Sequence, residues 1–373
     1  MSWQLTAADL PDLARGATLL GTGGGGDPYI GSKLVEQALG AGSITVLDPG
    51  DPADLRDDAF VIPTAQMGAP TVMIEKIPAG TEPTLALRTL EEHLGRTADA
   101  TMPIECGGIN SMIPFVVAAE TGLPVVDADG MGRAFPELSM ETFAVYGVHG
   151  SPLALAGERG EKIVIDTGDD DRQLEWLARA VTIRLGGVGH IAEYAMSGAD
   201  VRRTAVPRTI SMALSLGRAI RIAREDKRSP FDAVRKVLAP TIYHHVVDLF
   251  EGKIVDVERR TTEGFARGRV RIAPTGSGPE LEIAFQNENL TAHRDGELLA
   301  IVPDLICVLD HETAEPITTE RLRYGQRVRV LGISTPDLMR TPAALATFGP
   351  VAFGLAEEFV PVEQTARAAG GTL

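Results

Sequence analysis

The segment Gly21-Thr22-Gly23-Gly24-Gly25-Gly26-Asp27-Pro28 opens with five glycines in six residues. Glycine loses more backbone entropy on folding than any other residue, so this cluster demands a compensating geometry. That geometry is a conformation closed to other residues, or a close approach of main chain to a ligand or neighbour. Asp27 suits a helix cap and Pro28 a first turn. The segment therefore reads as a loop whose free amides converge on a helix N-terminus, a place for an anion or a polar carbonyl. Its spacing fits G-x-G-x-x-G, but a dinucleotide fingerprint needs a strand before the glycines. Here Thr6 suits a cap, and Leu10, Leu13, Ala14, Ala17 and Leu20 recur at helical spacing. No Gly-Lys-Ser/Thr follows. The loop thus joins two helices, and it is either substrate-facing or built for tight packing.

The chain's 373 residues suffice for two domains with real cores. A hydrophobic content of 44% and a charged content of 23% are ordinary for a globular protein. The net charge of −16 is spread along the chain, which disfavours nucleic acid and anionic membrane as partners. No apolar run reaches the ~18 residues of a membrane span. Two cysteines, Cys106 and Cys307, and no leader pattern predict a reducing, cytoplasmic setting.

Strand, loop and helix alternate through the first half. Helices are predicted over 28–39 and 84–94. Strands are predicted over 44–47, 60–62, 102–105 and 124–127. Asn110 is placed to cap the helix that ends near Gly122. This alternation predicts an α/β domain with a largely parallel sheet over 1–165. In such sheets ligands bind beyond the carboxyl ends of the strands. The loops predicted there carry Met67-Gly68, Glu105-Cys106-Gly107-Gly108 and Asp127-Ala128-Asp129. Asp169-Asp170-Asp171 opens a helix, where acidic side chains complement the dipole. A C-terminal domain over 166–373 begins with helices. It continues as short β runs over 253–262, 268–272, 281–288, 298–301, 305–309 and 327–333, an antiparallel sandwich or small barrel.

Cys106 follows a strand, precedes two glycines and stands before a helix N-terminus. Those features lower a thiol pKa and expose the sulfur, making Cys106 a nucleophile or ligand; the alternative is a small buried filler. Glu105 beside it is a candidate general acid or base. Asp127 and Asp129, two apart in an extended segment, share a face and can aim at one point. There they would orient a base, hold a water or bind a divalent cation; otherwise they cap the loop around Gly130 and Gly132. The polar run Gln286-Asn287-Glu288-Asn289 either lines a site between the lobes or ends a solvated strand. Cys307 sits in an apolar run and reads as core. The histidines lack metal-ligand spacing.

Several segments together resemble one family. They are Leu20 to Pro28, Met67-Gly68-Ala69-Pro70, Glu105-Cys106-Gly107-Gly108-Ile109-Asn110, Val125 to Glu137, Ala195-Met196-Ser197-Gly198, Phe285 to Asn289 and Pro303-Asp304-Leu305. The pattern is similar to the S-methyl thiohydantoin desulfurase-like family and spans nearly the whole chain. The resemblance implies an N-terminal α/β domain, a C-terminal β core and a setting near hydantoinase or oxoprolinase enzymes. It implies hydrolytic loss of sulfur from a thiohydantoin. On that reading Cys106 is the nucleophile, with Glu105, Asp127 and Asp129 in catalytic roles. Gly23, Gly24, Gly25, Gly26, Asp27, Met67, Gly107, Gly108, Asn110, Arg133, Asn287 and Asn289 surround a small heterocyclic substrate. No cofactor is required, although a divalent metal held by the two aspartates would replace the thiolate with an activated water. A cyclic-imide amidohydrolase and a non-catalytic subunit of a hydantoinase-like enzyme are the competing classes. A homo-oligomer or such a partner enzyme is the expected assembly.

Overall fold

The computed structural model describes residues 1–68, 72, 79–262 and 265–368. Ala69 and Pro70 of the family-like pattern lie outside the described residues. The first lobe is a mixed sheet whose four middle strands are parallel. They are Ser43–Leu47, Val125–Val126, Ala100–Met102 and Phe60–Gly68, in that spatial order. Trp3–Thr6 adds antiparallel on one side. Val188–Ala192, Leu153–Ala156 and Lys162–Ile165 add antiparallel on the other. Strand Val188–Ala192 lies past residue 165, so the first sheet draws on chain beyond the expected boundary. The run Phe60–Gly68 is buried from Val61 to Met67. It has the near-continuous apolar character of a strand covered on both faces.

Two expected strands change length. The strand starting at Phe60 runs on through Met67 and Gly68, because Val188–Ala192 pairs with its second half. Met67 and Gly68 are therefore strand residues and not loop residues. Strand Ala100–Met102 stops short of Glu105. That releases Ile104 to Gly107 into an irregular, fully buried turn.

The glycine-rich loop joins helices Leu10–Leu20 and Pro28–Leu39, and Asp27 caps the second by accepting from the Tyr29 amide at 2.9 Å. The first helix crosses helix Thr209–Glu225 in backbone contact. A Cβ on Gly16 would lie 1.7 Å from the Ala213 carbonyl oxygen, so only glycine permits this approach. Asp170 caps helix Asp171–Arg184, as the acidic run 169–171 predicts, and Ser229 caps Pro230–Leu238.

The second lobe holds one seven-stranded antiparallel sheet rather than two packed sheets. Its order is Glu297–Ile301, Glu288–Arg294, Leu281–Gln286, Phe265–Pro274, Val246–Thr262, Arg327–Ile333 and Leu305–Asp310. The sheet curls until Leu305–Asp310 at one end approaches Glu288–Arg294 and Glu297–Ile301 at the other. Apolar side chains on its concave side form a core of their own around Ile254, Ile272, Ile283 and Val330. The larger core runs continuously from the first sheet through the helices to Leu305, Cys307 and Leu331. Among the described residues no helix is long and apolar enough to cross a membrane.

Candidate functional site

A cavity of about 60 Å³ lies where the glycine loop, the end of strand Phe60–Gly68, the Ile104–Asn110 turn and the start of strand Glu288–Arg294 meet. Gly25 and Gly26 form one wall, and Gln66, Met67 and Gly68 another. Glu105, Asn110, Asn287 and Glu288 add polar side chains, and Phe135 to Leu138 and Arg179 also line it.

The turn that carries Glu105 is held by an interlock of main chains. Gly25 O accepts the Ile109 amide at 2.9 Å, and a Cβ on Gly108 would stand 2.0 Å from that same oxygen. Gly108 also has φ +62, which L side chains rarely adopt. Main-chain packing thus accounts for Gly25, Gly107 and Gly108. The other half of the glycine loop meets the second lobe. Thr22 O accepts from Asn289 N and Gly23 O from Thr319 N, each at 2.8 Å, while Gly24 abuts the Glu288 side chain. Of the four loop glycines expected to face substrate, Gly25 and Gly26 line the cavity and Gly23 and Gly24 do not. Asp27 points away, to Arg321.

Asn110 does not cap its helix. Its Oδ1 accepts the Gln66 amide at 2.7 Å, and its Nδ2 donates to Gln66 O at 3.1 Å and to Glu105 Oε1 at 2.7 Å. One side chain thereby fixes the strand end and the carboxyl together. Glu105 Oε2, Glu288 Oε2 and both amide atoms of Gln66 are buried without a protein partner. Burial, then repulsion from Glu288, hold the Glu105 carboxyl well above the usual range. Burial pushes Glu288 up to about 8, against the opposing pull of Arg133.

Cys106 does not meet its expectation. The thiol is 1% exposed and does not line the cavity. Burial, then the neighbouring Asp129 carboxyl, push its pKa well up, so no thiolate is favoured there. The adjacent helix does not help, because a 3-10 turn, Gly108–Ser111, intervenes before Ile113–Thr121.

Asp127 and Asp129 do not converge. Asp127 accepts the Ile210 and Ser211 amides at 2.9 and 3.0 Å, closing the first turn of helix Thr209–Glu225. Asp129 accepts the Met131 and Gly132 amides at 3.2 and 2.7 Å and faces Cys106. Among the described residues, no three His, Cys, Asp or Glu side chains are grouped as metal ligands. Arg133 is fully buried and serves the lobe junction, as does Asn289, whose Nδ2 donates to Ile306 O at 2.8 Å.

Gln66 is the site residue that sequence reasoning passed over, and Glu288 entered it only as part of the polar run 286–289, with no chemical role. Asn287 has φ +58 and its strand pair is irregular between Ala284 and Phe285. Asn287 is the turn residue between strands Leu281–Gln286 and Glu288–Arg294 and so stands outside the two-residue alternation; Asn287 and Glu288 both line the cavity while Asn289 turns to the junction. Gln66 gave a fainter signal, a lone amide in an otherwise apolar strand.

Glu105 belongs to a larger set of buried acids. Asp129, Glu141 and Glu193 are each 0% exposed with unpartnered oxygens. Burial raises all three, Asp129 to about 7. A carboxyl raised in the folded state binds its proton more tightly there than in the unfolded chain. Its contribution is complete below the unfolded value and is lost as pH rises through the folded one. Stability is therefore expected to fall as pH rises from about 4 through about 7, the folded value of Asp129, by several kcal/mol at ~1.4 kcal/mol for each tenfold gain in proton affinity, with Glu141 and Glu193 acting in the same direction. Thermal melts across that range check it, and Asp129→Asn, which keeps the acceptor for the two amides, should flatten the fall. A melting temperature that climbs across that range would contradict this account.

The fold and cavity define a two-lobe protein, α/β then curled β, with a small acid-lined site at the junction. Residues 8–167 match the S-Me-THD-like N-terminal domain and residues 169–362 the S-Me-THD-like C-terminal domain. The chain belongs to the S-Me-THD-like family. No curated protein matches it. A crystal structure of a protein from Chromobacterium violaceum is similar in fold, with a TM-score of 0.80 at 24% identity, over 96% of this chain and 100% of that one.

Proposed function

We propose that this protein removes sulfur hydrolytically from an S-methyl thiohydantoin or a related small cyclic amidine. Water adds to the ring carbon between the two nitrogens and the C–S bond breaks. The oxygen becomes the hydantoin carbonyl; one water proton ends on ring nitrogen and the other on methanethiol. The reading is carried by one observation: Glu105 and Glu288 are two buried carboxyls on one cavity, each with an oxygen free of protein partners. Mutual repulsion disfavours ionising both, so the pair holding one proton provides one base for the water and one acid for the sulfur. Family membership supports the choice of ring. The location of Cys106 outside the cavity favours an activated water over a thiolate.

The test is methanethiol release from a 2-(methylthio)imidazolone by the purified protein, with hydantoins and unmethylated thiohydantoins alongside. Cys106→Ala should keep turnover within about threefold, as expected for a group outside the acid–base machinery. A folded Cys106→Ala protein that releases no thiol would restore the thiolate and dismiss the carboxyl pair. No thiol release by the wild type would dismiss the hydrolase altogether.

A further inference from the structure

We propose that Gln66 selects the ligand of this cavity by reading a cis-amide edge, an N–H beside a C=O, on a small neutral ring. Gln66 is 5% exposed, lines the cavity, and has both amide atoms without a protein partner. A buried primary amide left unpaired is costly, so its position calls for a complementary ligand edge. Its backbone is fixed at both N–H and C=O by Asn110, which leaves the side chain as the adjustable part. An amide presents one donor next to one acceptor, and a cis-lactam or imide edge presents the reverse pair in the same plane.

The surroundings favour a neutral ring. Glu105, Glu137 and Glu288 share the lining, so an anion would meet the charge of whichever of these carboxyls is ionised. Arg179, the cation of the lining, is engaged by Glu175 and by the Pro136 carbonyl at 2.9 Å. Gly25 and Gly26 line the same cavity and bring no side chain into it. The inference rests on the hydrolase reading for its choice of ring, though not for its chemistry.

The test is calorimetric binding of hydantoin, with N1-methyl- and N3-methylhydantoin as the edge-blocked probes. Wild-type protein should bind hydantoin at least about tenfold more tightly than one of the methylated rings, since a site built to hydrogen-bond an N–H rejects its replacement. Gln66→Leu should lose at least about tenfold for hydantoin and lose the preference as well. Its melting temperature should not fall, because no protein partner is given up. If that variant fails to fold, the methylated series on wild type still decides. Equal binding of all three rings, unchanged binding by Gln66→Leu, or no binding of any ring would overturn the assignment. Selective hydantoin binding without thiol release would end the hydrolase reading and keep this one. Thiol release with binding indifferent to methylation would do the reverse.

Discussion

Glu105→Gln is expected to lower the turnover of thiol release by about 10²–10⁴-fold, the usual contribution of a positioned acid or base. The substitution keeps the acceptor that takes the Asn110 amide at 2.7 Å, so the turn and strand end stay in place. It removes a titrating carboxyl from a buried pair, and the pH profile should lose a limb. The remaining limb belongs to Glu288, which burial places at about 8. Steady-state kinetics across pH, with melting curves of the same samples, separate this from a folding defect. A Glu105→Gln variant with wild-type turnover and a wild-type pH profile would leave the cavity without its proposed chemistry. That test concerns a proton-transfer group and is independent of the Gln66 binding experiment.

Arg133→Met is expected to cost about 3–5 kcal/mol of folding stability, since it leaves four buried carbonyls without a donor at ~1–3 kcal/mol for a fully unsatisfied group. The guanidinium is fully buried and donates to four carbonyls: Ala134 at 3.1 Å, Pro303 at 3.1 Å, Asp304 at 3.0 Å and Asn289 at 3.1 Å. Burial already draws its pKa down to about 10. Methionine fills much of the volume but leaves those carbonyls without donors. Arg133 also opposes the rise of the Glu288 carboxyl, so its loss should push Glu288 further up. Urea denaturation measures the first effect and the alkaline limb of the activity profile the second. Arg133→Lys should recover little, because an ammonium cannot span the arc of carbonyls that a planar fork reaches. An Arg133→Met variant within about 1 kcal/mol of wild type, a small surface-type effect, would show that the lobe junction does not depend on this residue.

The fold was largely legible because its signals are local. Helical spacing before Gly21 ruled out the dinucleotide loop, and Asp27, Asp170 and Ser229 cap the helices they precede. Turn residues located six strands of the C-terminal lobe, but the expected run 281–288 breaks at Asn287 and the strand Glu288–Arg294 that follows was not expected. Lengths failed where a distant partner decided them. Strand Phe60–Gly68 continues to Gly68 because residues 188–192 pair with it, and nothing near Ile62 in the chain reports that. The choice between a sandwich and a small barrel was likewise made at a distance: one sheet curls barrel-like because its first and last strands meet across the lobe.

The site was legible by segment and misread by side chain. The Gly25, Glu105 and Asn287 segments do meet at one cavity. Yet Cys106 turned inward, Asp127 closed a helix 83 residues away in sequence, and Arg133 joined the lobes. Which of two neighbouring side chains faces a cavity depends on how the chain turns, and the turns at Asn287 and at Ile104–Gly107 decide it here.

The sequence alone determined the helix–loop–helix at the glycines, the α/β-then-β order and the segments that form the site, since capping, periodicity and turn chemistry act within a few residues. Only the tertiary structure decided that Glu105, Glu288 and Gln66 face the cavity while Cys106 does not. Burial, and the pKa shifts that follow from it, are set by neighbours far away in the chain.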